Sequence, residues 1–342
     1  MSELRYDPLG GYWVNIAAIR AERPNEFRRV ESRRPDAICP FCAGQESQTP
    51  PAVLELTAGN GRTGLGAQRT GGGSSDWIVR VVPNKYPAFA FDAHPTREAI
   101  GPYTRIRGGG IQEIIIESPR HVTSLSQLTD DELRLTFRAF QLRIQAASES
   151  ENTRQVTLFR NCRSEAGASI EHAHSQIVAS PLLADSLAAR FERSARAQRE
   201  TGAALLESMV AFEERQGLRI VKLSPGFVAF CPFASRFAFQ IWIAARARGV
   251  AFERLLPDDL DEVARLVRWC TERLERTLDA PPYNWILHLP PQFPGGGVAQ
   301  ALFPWFIELI PRLGRLAGYE LADGGWINDW PPEFAAAKLR AD

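Results

Sequence analysis

The sequence has no excess of charge of either sign. Its 40 Lys plus Arg residues are matched by 40 Asp plus Glu, so no global field draws it to nucleic acid or to an anionic membrane, and no nucleic-acid partner is expected. A small charged substrate has to be met by a local site. Long apolar runs are missing too: no stretch of about eighteen apolar residues, the least that crosses a bilayer as a helix, occurs, and no membrane partner is expected. The opening Met1-Ser2-Glu3-Leu4-Arg5-Tyr6-Asp7-Pro8 lacks the basic region and apolar stretch of a secretory signal, which points to a cytoplasmic protein. Cysteine is scarce, five in 342 residues, and makes no disulfide framework. Histidine is equally scarce, also five, so any clustering of it carries weight. At this length a core needs no staples, and an enzyme of one large or two ordinary domains fits.

What is present is a repeated order. Residues 57–76, rich in Gly, Ser and Thr, read as a surface loop close to a cysteine pair and able to close over a site. Residues 77–82 read as a strand, 83–87 as a turn and 112–117 as another strand. Thr129-Asp130-Asp131-Glu132 caps a helix of roughly four turns, since an N-cap hydroxyl and early acids satisfy free amides and suit the dipole. Residues 156–160 and 174–178 read as strands on either side of a Gly-Ser turn. The second half answers in the same order: 227–230 and the turn at Cys231-Pro232-Phe233-Ala234, a strand at 239–243, a helix from Pro257-Asp258-Asp259-Leu260 to about Leu278, then strands at 284–289 and 303–310. The expected fold is α+β, two tandem units each of an antiparallel sheet with a packed helix, divided into 1–185 and 186–342. Laying the halves over each other sets Pro304 opposite His172, Phe306 opposite His174 and Glu308 opposite Gln176. One copy carries histidines where the other carries apolar bulk, so packing alone does not require them.

Residues two apart on a strand share a face, so His172, His174 and Gln176 are expected to project together. The preceding Asn161-Cys162-Arg163-Ser164-Glu165-Ala166-Gly167-Ala168-Ser169 offers amide, guanidinium and hydroxyl donors around a glycine, the chemistry a phosphate needs. The alternative is a buried histidine pair bonded to backbone. Cys39-Pro40-Phe41-Cys42 is half of a zinc site, two thiolates at a spacing that shares one ion, or else a redox dithiol, although the strand-to-helix setting of the latter is missing. His121 and His172 are the available further ligands, and Cys2His2 would make a closed, structural site pinning the segment that bears His174. Arg20 and Arg23 could clamp a phosphate or form a solvated face. Asn84 sits in a turn between prolines and contacts ligand only secondarily. His94 reads as exposed, His288 as a core or relic position, and Trp305, Phe306, Trp326 and Trp330 as packing.

Taken in order, Asp7-Pro8-Leu9-Gly10-Gly11-Tyr12-Trp13-Val14, Arg20-Ala21-Glu22-Arg23-Pro24, Cys39-Pro40-Phe41-Cys42, residues 79–87, Glu117-Ser118-Pro119-Arg120-His121, Glu165-Ala166-Gly167-Ala168-Ser169 and His172-Ala173-His174-Ser175-Gln176 resemble the galactose-1-phosphate uridylyltransferase family of the histidine-triad superfamily, over nearly the whole chain. The tail from Ile310 to Glu320 is similar to the shorter bacterial members. The resemblance implies two fused histidine-triad-like repeats and a ping-pong reaction. His174 would displace a sugar phosphate from a UDP-sugar, hold the nucleotidyl group as a phosphoramidate and pass it to a second sugar phosphate. Gln176 and Ser169 would bond phosphoryl oxygens, Asn161 and Gly167 would shape the phosphate loop, and Arg20, Arg23 and Asn84 would meet phosphate or nucleoside. Zinc would be the cofactor, on Cys39, Cys42, His121 and His172. A homodimer is implied by analogy alone.

Three departures bear on that transfer. Ala173 replaces the usual proline between the histidines, Pro304-Trp305-Phe306 replaces a His-x-His that binds a second metal in some members, leaving His288 alone, and a second Cys-x-x-Cys near 200–207 is absent. They touch the acceptor more than the nucleotidyl step. The leading expectation is UMP transfer between UDP-hexose and hexose 1-phosphate. An ADP-glucose-using phosphorylase on the same strand is the alternative, so the partners are a UDP-sugar or ADP-sugar and a sugar phosphate. A non-catalytic, zinc-stabilised nucleotide-binding scaffold is the reading from another class.

Overall fold

A computed structural model of the chain describes residues 3–18, 38–58, 68–69, 76–88, 96–107, 109–247, 249–293, 298–322 and 325–341. The elements of the first half are β1 (Glu3–Asp7), β2 (Tyr12–Ile16), β3 (Leu54–Thr57), β4 (Gln68–Arg69), β5 (Trp77–Pro83), β6 (Thr96–Ile100), β7 (Tyr103–Arg107), β8 (Ile111–Ile116), α1 (Asp130–Ser148), β9 (Gln155–Cys162) and β10 (His174–Ser180). Then follow α2 (Asp185–Thr201), α3 (Leu205–Gln216), β11 (Ile220–Leu223), β12 (Phe227–Phe230), β13 (Ile241–Ala245), α4 (Pro257–Thr277), β14 (Tyr283–His288), α5 (Val298–Leu302), β15 (Phe306–Pro311), α6 (Gly318–Ala322), β16 (Trp326–Asn328) and α7 (Pro332–Ala341). No helix among the described residues is long and apolar enough to cross a membrane.

The fold is α+β, and the two repeats join into one eleven-stranded sheet of order β11-β12-β13-β15-β14-β9-β10-β8-β5-β3-β4. Within it β5-β8-β10-β9 and β12-β13-β15-β14 follow the same course, and the repeats meet where β9 pairs antiparallel with β14. The register confirms the superposition of the halves. Gln176 lies opposite Ile114 and Phe159, and Glu308 opposite Trp242 and Ile286, in the matching strands.

Strict alternation along β9 and β14 gives the sheet two unlike faces. Leu158, Cys162, Trp285 and Leu287 point to the side covered by α1 and α4, which pack on each other. Helical spacing brings Phe137, Phe140 and Ile144 of α1, and Val263, Val267, Cys270 and Leu274 of α4, into that core. Phe137 stacks on Trp285 at 6.4 Å, and each such side chain contributes about 1.5–3 kcal/mol by leaving water. On the other face α2 and α3 cover the second repeat through Leu187, Leu206 and Val210. The first repeat keeps a smaller cluster there, with Phe41, Val82 and Ile116, and leaves Phe159, Asn161, Gln176 and Val178 half-buried.

Thr129 caps α1 as expected, with Glu132 completing a capping box, though α1 runs to 19 residues rather than about four turns. Other boundaries moved for local reasons. The strand expected at 239–243 begins at Ile241, because Phe239 has φ 57° in a turn closed by Gln240 N–H donating to Phe237 C=O. The strand expected from 303 begins at Phe306, because Phe303 N–H still donates to Ala299 C=O at the end of α5. Of the expected loop at 57–76, residues 59–67 and 70–75 lie outside the described residues, while Gln68 and Arg69 pair with β3 and extend the sheet edge. The β6–β7 hairpin, and the small sheet β1-β2-β16 that ties the first strands to the last, had no counterpart in the sequence reading.

Candidate active site

Cys39, Phe41 and Cys42 lie in a tight turn in which Cys42 N–H donates to Cys39 C=O. The two thiols share one small volume with His121, just beyond β8, and His172, just before β10: one ligand atom from each lies within 4.8 Å of the others. Cys39 Sγ is 3.5 Å from His172 Nδ1, and Cys42 Sγ is 3.5 Å from His121 Nδ1 and 3.7 Å from His172 Nδ1. The other nitrogen of His172, Nε2, donates to the Ser118 carbonyl at 2.9 Å, so Nδ1 is the unprotonated atom, turned to the thiols. Burial holds the His172 imidazole neutral, its pKa lowered to about 4, and pushes the Cys42 thiol up to about 11 with the help of neighbouring Cys39. Four such donors are compatible with a metal site.

The cluster is tied to α1 through its cap. Glu132 accepts Thr129 N–H at 2.8 Å, and also Ser118 Oγ at 2.7 Å and Arg120 Nε at 3.0 Å. One carboxylate thus closes a helix and anchors the segment that bears His121 and the Ser118 carbonyl.

His172 is not on the strand, which begins only at His174. Ser118 and the cysteines hold it in the preceding bend. His174 is 5% exposed, and its Nδ1 donates to the His172 carbonyl at 2.6 Å. Nδ1 therefore carries the proton, and Nε2 is left as an unprotonated lone pair. Burial lowers the pKa of His174, which keeps that lone pair available. Phe41 sets its edge against both imidazoles, 5.9 Å from His172 and 5.3 Å from His174 between centroids. Beneath them Glu117 and Arg160 form an ion pair, 0% and 1% exposed. Glu117 also accepts Ser175 Oγ at 2.5 Å, and Arg160 donates to the Thr123 carbonyl at 2.8 Å.

Gln176 follows on the same face as His174. Its Oε1 accepts from Gln112 Nε2 at 3.0 Å, while Gln112 Oε1 accepts Ala88 N–H at 2.7 Å, so Gln176 turns its NH2 outward as a donor. Asn161 lies two residues beyond Phe159 on β9, and its Nδ2 donates to Gly167 C=O at 3.3 Å. The loop between them needs left-handed backbone at Gly167, φ 95°, and at Arg163, φ 72°. Gly167 and Ser169 are exposed on it. Asn84 fills the turn role: its Oδ1 accepts Tyr86 N–H at 2.9 Å. Arg20, Arg23 and His94 lie outside the described residues. Sequence reasoning assigned no role to Phe41, Gln112, Glu117, Ser175 or Arg160; Phe41, Glu117 and Ser175 lie inside motifs quoted above, whereas Gln112 and Arg160 are strand residues with no such signal.

His288 is not alone. Its Nε2 donates to Glu308 Oε2 at 2.8 Å, and its Nδ1 accepts from Arg190 at 3.2 Å. Glu308 also accepts from Arg236 at 3.0 Å and from Gln240. These donors hold the fully buried carboxylate well below the usual range, against the pull of desolvation. The cysteine–histidine group is the sole cluster of three or more metal-type ligands among the described residues, and at His288 guanidinium groups supply the positive charge.

Residues 79–184 match the family described as galactose-1-phosphate uridyl transferase, N-terminal domain. Over 99% of its length the chain is 28% identical to an ADP-glucose phosphorylase of Arabidopsis thaliana, of which it covers 92%. It is 23% identical to a galactose-1-phosphate uridylyltransferase of Thermotoga maritima, over 99% of this chain and 98% of that one. A crystal structure of an ADP-glucose phosphorylase from Arabidopsis thaliana with bound ADP-glucose superposes with a TM-score of 0.82 at 25% identity, over 100% of this chain and 99% of that one.

Proposed function

We propose that the chain is a nucleotidyltransferase of the galactose-1-phosphate uridylyltransferase family that takes an ADP-sugar, with His174 as nucleophile and inorganic phosphate as acceptor. The observation that carries this is the His174 imidazole, buried, neutral and pinned at Nδ1, with Nε2 free. Nε2 attacks the α-phosphorus. An N–P bond forms, the P–O bond to the sugar phosphate breaks, and sugar 1-phosphate leaves with the electron pair. The imidazole gains positive character in this step, and the His172 carbonyl, already accepting Nδ1–H, stabilises it. Phosphate then attacks the same phosphorus, the N–P bond breaks, and ADP leaves. Gln176 Nε2, Asn161 and Ser169 donate to phosphoryl oxygens across the loop at Gly167. Arg20, Arg23 and Asn84 meet phosphate or nucleoside.

Adenine is put before uracil because the greater likeness, 28% against 23% identity over equal shares of the chain, is to an ADP-glucose phosphorylase. UMP transfer between UDP-hexose and hexose 1-phosphate is the second reading. The same strand serves both, and the 1–185 repeat does the chemistry while 186–342 buttresses it. We expect a cytoplasmic homodimer. Incubation with labelled ADP-glucose and, separately, UDP-glucose decides the base. Labelling by ADP-glucose and release of ADP on adding phosphate is the expected result; turnover with UDP-glucose and galactose 1-phosphate alone would reverse the order, and a His174→Ala protein that still turns over would sink the mechanism.

Zinc fits the four donors. Zinc bonds of about 2.3 Å to sulfur and 2.0–2.1 Å to nitrogen, at tetrahedral angles, set sulfur and nitrogen about 3.5 Å apart, as the 3.5 and 3.7 Å separations require. Cys39, Cys42, His121 and His172 would hold it as a closed structural site. It would supply no step of the reaction, only the fixed position of the His172 carbonyl beside His174.

A further inference from the structure

The second repeat lacks the histidines, yet it reaches into the loop of the first. Asn284 on β14 stands directly opposite Asn161 on β9. Its Nδ2 donates to Asn161 Oδ1 at 2.8 Å and to the Ala166 carbonyl at 2.8 Å. Its Oδ1 accepts from Arg312 Nη1, at the end of β15, at 3.3 Å. Asn161 Nδ2 in turn donates to Gly167 C=O.

The orientation of each amide follows from what its neighbours are able to do. A guanidinium has donors only, and a backbone carbonyl only accepts. Arg312 therefore requires the oxygen of Asn284, and Ala166 requires its nitrogen, which leaves that amide one way round. With NH2 facing β9, Asn161 must answer with its oxygen, so its own NH2 is turned to Gly167 and the loop. Left to itself, an Asn amide flips at little cost, and a flipped Asn161 would aim a carbonyl oxygen at bound phosphate.

We infer that Asn284 and Arg312 are positioning residues, which fix the sense of the Asn161 amide so that the phosphate loop presents a donor to the phosphoryl group. This rests on the reading above that residues 161–169 hold a phosphate, and it gives the second repeat a part in the reaction without any histidine of its own.

The test compares Arg312→Lys, Arg312→Gln and Asn284→Asp with wild type, in steady-state turnover of ADP-glucose and in calorimetric titration with ADP. Arg312→Lys keeps a donor-only partner and should hold the wild-type KM and Kd within about 3-fold. Arg312→Gln can present either end, and Asn284→Asp sets an acceptor against Asn161 Oδ1 and Ala166 C=O. Both should raise KM and the ADP Kd by about 10-fold or more, the weight of one charge-assisted hydrogen bond, with smaller change in kcat and a melting temperature within about 3 °C of wild type. Equal behaviour of Arg312→Lys and Arg312→Gln, or a wild-type ADP Kd in Asn284→Asp, overturns the inference. Absence of turnover in the wild type counts against the proposed function instead, and the ADP titrations still read the positioning; wild type that fails to bind ADP overturns both.

Discussion

Replacing Arg160 by methionine leaves Glu117 as a carboxylate, 0% exposed, with the Ser175 hydroxyl as its remaining partner in this pair. Removing one member of a buried ion pair costs about 3–5 kcal/mol, most of it from the charge left behind. Unfolding of 342 residues as one unit carries an entropy of about 0.7 kcal/mol/K, at about 2.1 cal/mol/K per residue. The Arg160→Met protein should therefore melt about 4–7 °C lower by calorimetry at pH 8. Adding Glu117→Gln removes the orphaned charge and should recover most of the loss. If Arg160→Met melts like wild type at pH 8, or the double variant is no better than the single, the pair does not hold the segment between His121 and Ser175 in the way described.

Other perturbations have equally definite outcomes. Gly167→Ala forces a Cβ onto a φ of 95° and sets it 3.4 Å from Asn161 Nδ2; it should cost about 1–3 kcal/mol and raise KM for the nucleotide sugar, while wild-type KM would argue against the loop as a phosphate site. Burial and Arg190 hold the pKa of His288 below its ordinary value, with Glu308 opposing them. Between pH 6.5 and that lowered value the unfolded chain binds a proton that the folded chain does not, so stability falls as pH falls through this window. His288→Gln should flatten the slope of melting temperature against pH there. Elemental analysis should find one zinc per chain, and chelation should lower the melting temperature by several degrees; a metal-free protein of unchanged stability would refute the site.

The local elements were legible because their signals are local. Thr129-Asp130-Asp131-Glu132 reads as a helix cap from four letters, and the structure closes it as a capping box with both hydrogen bonds. His172, Cys39 and Cys42 are informative by type and scarcity, and the structure brings them to His121. Partnerships across distance were not legible. Alternation in 155–162 and 283–288 announces two strands with two faces, but nothing in either says that β9 pairs with β14 and joins the repeats into one sheet. Glu308 sits in an apolar run, and its meaning depends on Arg236, Gln240 and His288, which converge only in the fold. Asn328, which donates to the Ser235 carbonyl at 2.9 Å, ties β16 to a turn far from it in sequence, so the small terminal sheet left no periodic trace. The strand start at 174 was legible, but the place of His172 off that strand was not, because the Ser118 carbonyl that holds it there is remote in sequence.

The central claim is that His174 Nε2 carries the nucleotidyl group. Rapid quenching of the protein with ADP-glucose in the absence of phosphate, followed by digestion and mass spectrometry under alkaline conditions that preserve phosphoramidates, tests it most directly. The prediction is one AMP adduct, on the peptide that holds His174, lost on adding phosphate and absent from His174→Ala. Turnover without any adduct, or an adduct on another residue, would contradict it.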